Sequence, residues 1–209
     1  MARIAQDPQV RIAEILDAAE KLFLVKGYRG TTISDIAKKL GVAQGMLYYY
    51  FKSKEEIIES LINRHVASVL STIQAMPSFV CITPPQKIEL VISVLVGSVR
   101  DKDSSLLNAF FDEQNVHIKD KVRHQIHLSI STCLSKIIEE GMRTQHFRVF
   151  DPQTALDFIF KFVDLLVEAM YAQMSEQQLS PRLQMASTLI ENVLGAQTGT
   201  INLKLQARA

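Results

Sequence analysis

Apolar residues recur at spacings of three and four along almost all of this 209-residue chain, and the two-residue alternation of a half-buried strand is nearly absent. That period leaves one fold class, an all-α protein whose helices each bury an apolar stripe. Ile12, Ile15, Leu16, Ala19, Leu22 and Phe23 form the first stripe, which is expected to stop before Gly27. Thr32-Ile33-Ser34-Asp35 has the spacing of a capping box and opens a short second helix that stops at Gly41. A third helix is expected over about 43–51. A fourth opens on the box Ser53-Lys54-Glu55-Glu56 and runs to about Met76, where Pro77 ends it. Further helices are expected over 85–102, 104–111, 116–143, 152–174 and 181–196. Asp151-Pro152 and Ser180-Pro181 are read as the starts of the last two, each a capping residue before a proline. This gives an N-terminal three-helix bundle over 1–54, a larger helical domain over 55–196 and a poorly ordered tail over 197–209.

Composition narrows the function. An apolar content of 47% suffices for a sizeable core and argues against a disordered chain. The apolar runs near 91–99 and 158–171 are too short, or too interrupted by Lys161, Asp164 and Glu168, to span a membrane, and a cytoplasmic protein is expected. Cys81 and Cys133 have no paired spacing and read as buried small residues rather than as a disulfide or metal knuckle. The net charge of +1 is unevenly spread. Residues 1–54 hold nine Lys/Arg against five Asp/Glu (+4), and 55–209 hold fourteen against seventeen (−3). No glycine-rich phosphate loop, G-x-S-x-G elbow or cysteine beside a helical histidine occurs, so catalysis is not expected and no cofactor is implied.

Two short helices joined by a tight turn at Gly41, behind a supporting helix, are the arrangement of a helix-turn-helix. In "GVAQGMLYYYFKSK" (Gly41 to Lys54), Leu47, Tyr50 and Phe51 can pack inward, which leaves Gln44, Gly45, Tyr48 and Tyr49 outward. Outward phenols suit phosphate oxygens, Gln44 suits an adenine edge, Gly45 permits close approach to bases, and Lys54 adds charge at a helix start. So small a helix cannot bury every side, which argues against reading the aromatic row as core alone.

The longer stretch "GYRGTTISDIAKKLGVAQGMLYYYFKSKEEI", Gly27 to Ile57, closely resembles the DNA-binding domain of TetR-family transcriptional repressors. "EEGMRTQHFRVFDP", Glu139 to Pro152, is similar to a weaker junction in the same family. The resemblance implies a homodimer with a small N-terminal DNA-binding domain and a helical C-terminal domain that takes an inducer. It assigns Thr31, Thr32, Tyr48, Tyr49 and Lys54 to phosphate contacts, and Ala43, Gln44, Gly45 and Met46 to base reading. Ala43 stands where serine is frequent, and Gln44 where lysine or arginine is frequent.

In the C-terminal domain, Phe158 to Met170 is apolar on nearly every face and needs cover from several sides. Packing against Leu183, Met185, Ala186, Leu189, Ile190 and Val193, doubled by a partner subunit, would form a four-helix interface between the last two long helices of a homodimer, against the alternative that the helix is buried within one subunit. Asp164 and Glu168, one turn apart, are candidates to hold a cationic inducer, against a structural ion pair with Lys161. Glu113, His117, Asp120, His124, His127 and Ser131 share an arc suited to a polar pocket or a metal. Val122, Ile126, Ile130, Cys133 and Ile137 on the opposite arc make the histidine side the natural solvent face. His117 and His124 are carried as ligand candidates. The expected function is a homodimeric repressor bound to an approximately palindromic double-stranded operator and released by a small-molecule inducer. The alternative is a helix-turn-helix regulator that answers to a protein partner or a metal.

Overall fold

A computed structural model describes residues 7–79, 81–100, 111, 115–172 and 174–204. The described residues contain helices and no strand: α1 (Pro8–Gly30), α2 (Ile33–Leu40), α3 (Gln44–Tyr50), α4 (Lys54–Ala75), a 3-10 turn (Met76–Ser78), α5 (Pro84–Arg100), α6 (Val116–Arg143), α7 (Pro152–Tyr171) and α8 (Glu176–Leu194). The helix expected over 104–111 falls almost wholly outside the described residues, as does Glu113. No helix among the described residues is long and apolar enough to cross a membrane.

Two compact units divide the chain, one of Met1–Val66 with Lys102–Val122 and the other of Ala67–Asp101 with Arg123–Ala209. In the first, Ile15, Phe23, Ile36, Leu47, Ile57 and Ile58 are fully buried and form the centre of a small core. Polar ties add to it at the rim. Arg64 on α4 forks to Asp17 (2.7 Å) and Glu20 (2.8 Å) on α1, and Lys121 pairs with Glu59. α1 does not stop before Gly27 as expected. The backbone breaks there, at φ 73°, and one more turn follows to Gly30.

The second unit has one continuous aliphatic core contributed by α4 to α8, including Ile73, Ile92, Ile137, Ile159 and Ile190. Lys87 is only 2% exposed, and its ammonium donates to both Glu140 carboxylate oxygens (3.0 and 2.7 Å), so the buried charge is neutralised where it stands. Gly141 is required by close packing. A Cβ there would stand 2.0 Å from the Phe147 ring. Of the expected stripe on α6, Val122, Ile130, Cys133 and Ile137 are buried and Ile126 is half-buried, and burial pushes the Cys133 thiol up while its Sγ donates to Ile73 O (3.2 Å). Cys81, expected to be buried, is exposed.

Two expectations for the C-terminal end are corrected. α8 starts at Glu176 rather than Pro181, because Ser175 and Gln178 form a capping box one turn earlier and Pro181 is carried inside the helix. Residues beyond Gln197 are not a loose tail as far as Lys204. Ile201 and Leu203 are buried, their amides donate to Glu191 Oε1 (2.8 Å) and Ser187 Oγ (3.0 Å), and Asn202 N donates to Glu89 Oε2 (2.9 Å). Alternating Ile201 and Leu203 in an extended segment are what dock it.

Candidate nucleic-acid interface

The N-terminal unit presents one short helix by its first turn and its outer face. α2 is held by a complete capping box. Asp35 N donates to Thr32 Oγ1 (3.1 Å) and Thr32 N to Asp35 Oδ2 (2.9 Å). Lys26 also donates to Asp35 (2.8 Å), and that ammonium, with the Thr32 hydroxyl and amide, holds the carboxyl far below the usual carboxylate range. Gly41 then turns the chain in the left-handed region (φ 67°), its amide donating to the end of α2, and α3 begins three residues later.

α3 is placed by two anchors. Leu47 and Phe51 are buried, which fixes the rotation of the helix and turns the rest of the aromatic row outward. Tyr48 is 51% exposed and Tyr49 82% exposed, while Tyr50 is half-buried and stands edge-on to Tyr49 at 5.0 Å. Ala43 occupies the N-cap without any side-chain cap bond, and Ala43, Gln44 and Gly45 are all exposed, with Met46 half-buried. A Cβ added at Gly45 would meet nothing within 4 Å, so no packing inside the unit calls for a glycine there. Lys38, Lys39 and Lys52 are further exposed cations of this unit that the motif reading passed over, although the +4 excess of residues 1–54 was their signal.

Two of the expected phosphate contacts lie elsewhere. Thr31 is fully buried, and its hydroxyl donates to Gly27 O (2.8 Å) and, more weakly, lies 3.3 Å from Leu22 O. Its side chain closes the break in α1 instead of facing solvent. Lys54 turns its ammonium inward, donating to Tyr28 O (2.8 Å) and Thr31 O (3.0 Å) above the Tyr28 ring, 4.3 Å from the centroid. Thr32 is exposed, with its hydroxyl engaged in the cap.

The ligand candidates expected in the larger domain are placed individually, and His117 belongs to the first unit, with residues 102–122. His117 and His124 are exposed on α6, and Glu168 is exposed on α7. Asp164 does not pair with Lys161 as the ion-pair reading supposed. Its Oδ1 stands 3.2 Å from His127 Nε2, and that imidazole stacks on Phe160 at 4.3 Å. Among the described residues no three His, Cys, Asp or Glu side chains are gathered closely enough to hold a metal ion.

Comparison with known proteins places this geometry. Residues 15–61 match the sequence profile of bacterial regulatory proteins of the tetR family. The fatty acid metabolism regulator protein of Bacillus subtilis is 28% identical over 157 residues, which span 72% of this chain and 78% of that one. The repressor KstR2 of Mycobacterium tuberculosis is 40% identical over 62 residues, 30% of this chain and 31% of that one. The fold of FadR from Bacillus subtilis, solved in complex with stearoyl-CoA, superimposes with a TM-score of 0.63 at 22% identity, over 87% of this chain and 97% of that one. A TetR/AcrR-family regulator from Thermobifida fusca gives 0.61 at 22% identity, over 88% and 94%. With its helix-turn-helix, its all-helical fold and these relatives, the chain carries a DNA-binding domain of the tetR-family type and is a DNA-binding transcriptional regulator, not an enzyme.

Proposed function

We infer that the protein is a homodimeric repressor that binds an approximately palindromic operator and leaves it when a small molecule enters the second unit. The observation that carries the dimer is a bare apolar surface on α7 and α8. Phe158 and Leu165 on α7, and Met185 and Leu189 on α8, are exposed, with Leu165 at 63% and Met185 at 60%. Half-buried Phe162 stacks beside Phe158 at 6.4 Å and joins them along one edge of the helix. Scattered exposed leucines are ordinary, but apolar rows at i, i+4 and i+7 on α7 and at i and i+4 on α8 are surfaces that a second copy would cover.

Two-fold symmetry then presents two copies of α3 to DNA. In each, Ala43, Gln44, Gly45 and Met46 read bases from the exposed first turn, Tyr48 and Tyr49 donate to phosphates, and Thr32 stands at the start of α2 near the backbone. The inducer reading is supported by the relative named a fatty acid metabolism regulator and by the stearoyl-CoA complex of a protein with this fold. An inducer acts only through a difference in its affinity for the DNA-bound and free states, typically about 1–3 kcal/mol.

The test is selection of bound duplexes from random DNA by the full chain at near-physiological salt, followed by titration of the selected duplex with long-chain acyl thioesters and with unrelated apolar ligands. The expected result is an enriched palindrome, lost in Tyr48→Ala, and release by at least one ligand class. Enrichment of a single unrepeated half-site would overturn the dimeric reading. A ligand that binds tightly and leaves DNA affinity unchanged would overturn the coupling.

A further inference from the structure

We propose that Lys54 is a positioning residue for DNA binding, a clamp that closes the helix-turn-helix from behind, and that its ammonium does not contact phosphate. The inference rests on the reading of α3 as the DNA-contacting helix. It starts from the connection between α1 and α2, which lacks regular structure of its own to fix it. Gly27 breaks α1 at φ 73° and ψ 162°, and only the short turn 28–30 and Thr31 separate that break from the Thr32 cap of α2. Tyr28 O lies at the end of α1, where partial negative charge collects, and accepts the Thr31 amide at 3.3 Å, while Thr31 O belongs to the extended C-cap residue. Lys54, the first residue of α4, adds a positive charge and a donor to both. Its Nζ bonds to Tyr28 O at 2.8 Å and Thr31 O at 3.0 Å and lies over the Tyr28 ring.

The seat is built on both sides. Tyr28 is buried and packs edge-on against fully buried Phe23 at 5.3 Å, so the ring beneath the ammonium cannot drift. Thr31 is buried with its hydroxyl on Gly27 O, so the second carbonyl is equally fixed. On the α4 side, Ser53 Oγ accepts the amide of Glu56 (3.2 Å), which sets the helix start that carries Lys54. Because α1 and α4 flank α2 and α3 in the chain, this single cation ties the two ends of the motif together. α3 needs that frame. It has seven residues and an N-cap without a side-chain bond, and is too short to hold its own shape.

The clamp and a phosphate contact make opposite forecasts for two substitutions. Each lysine on phosphate contributes about 0.9 to the slope of log affinity against log salt, and arginine serves a phosphate at least as well. A compact ammonium between two carbonyls and above a ring is not reproduced by a planar guanidinium on a longer stem. In full-length protein, Lys54→Met and Lys54→Arg are therefore measured against the selected duplex across a salt series, with amide hydrogen exchange on the free proteins. The expected result for Lys54→Met is an affinity loss of roughly tenfold, the scale of a lost charged hydrogen bond, at an unchanged slope. Lys54→Arg does not restore it. Exchange quickens at the Thr31 amide, bonded to Tyr28 O, and is unchanged at the Arg148 amide, bonded to Leu194 O in the other unit.

A slope lower by about 0.9 in Lys54→Met, with Lys54→Arg at wild-type affinity, overturns the clamp. So does unaltered exchange at Thr31. If Lys54→Met fails to fold, the arginine variant decides alone. Full affinity overturns the proposal, and reduced affinity at the wild-type slope supports it. The exchange measurement needs no DNA, so a failure to find any bound duplex would count against the DNA reading of α3 while the clamp is still judged.

Discussion

Gln44, Tyr49 and Thr31 lie within nineteen positions of one another and are expected to fail in three different ways. Gln44 is exposed on the first turn of α3 and is proposed to meet an adenine edge, so Gln44→Ala should change base preference in a duplex selection and leave the salt slope alone. Tyr49→Phe keeps the ring and removes the hydroxyl, and should weaken operator and random DNA by the same factor. Thr31→Val keeps the volume but leaves Gly27 O without its donor, and should cost about 1–2 kcal/mol in urea unfolding without altering preference among duplexes. The outward turn of Tyr48 and Tyr49 was legible in the sequence because helical spacing with Leu47 and Phe51 fixes it. The inward turn of Thr31 and Lys54 was not. Their partners are backbone carbonyls exposed by the unusual conformation of Gly27, and a carbonyl leaves no mark in the sequence.

Helix ends divide the same way. The Thr32–Asp35 box, the Gly41 turn and the Asp151 cap were all visible, because a cap is a local bond between residues three apart. Asp151 accepts from Thr154 N at 2.9 Å, and the Thr154 hydroxyl and amide hold its carboxyl below the ordinary range. The start of α8 was misread because Ser180-Pro181 and Ser175-Gln178 are both start signals, and the sequence does not rank them. The docked segment 201–204 was missed because two apolar residues have no period to detect. Two predictions follow from the caps. Ala43→Ser supplies the missing hydroxyl at the head of α3 and should raise the stability of the N-terminal unit by about 1 kcal/mol, read as a later urea midpoint. Asp35 has its folded pKa lowered, so its stabilising contribution is fully present above the ordinary carboxylate range and is lost as pH falls below it towards the folded value. The gap in melting temperature between wild type and Asp35→Asn should accordingly be constant near neutral pH and shrink as the solution is acidified below about pH 4.

If two copies meet on the bare apolar rows of α7 and α8, as proposed, DNA affinity becomes a property of the assembly. A protomer with one α3 engages one half-site, whereas a dimer engages the second half-site as an intramolecular event, with a gain of roughly 10²–10⁴ over a single contact. Leu165→Glu places a charge at the middle of the surface that a partner would cover, on a side chain that is 63% exposed in the single chain. The monomer fold should therefore tolerate it, with helix content and urea midpoint close to wild type at low protein concentration. The dimer should not, because a buried carboxylate without a partner costs several kcal/mol. On that proposal, sedimentation should show a dimer for the wild type and a monomer for the variant. Affinity for the full palindrome should fall by two or more orders of magnitude, towards the wild-type affinity for a half-site, and half-site affinity itself should be unchanged. The half-site control separates the two ways the variant could lose DNA. Loss on both duplexes means that the substitution has damaged α3 from a distance, and loss on the palindrome alone means that it has only parted the two copies. A variant that stays dimeric and keeps full affinity would show that this stripe is not where the subunits meet.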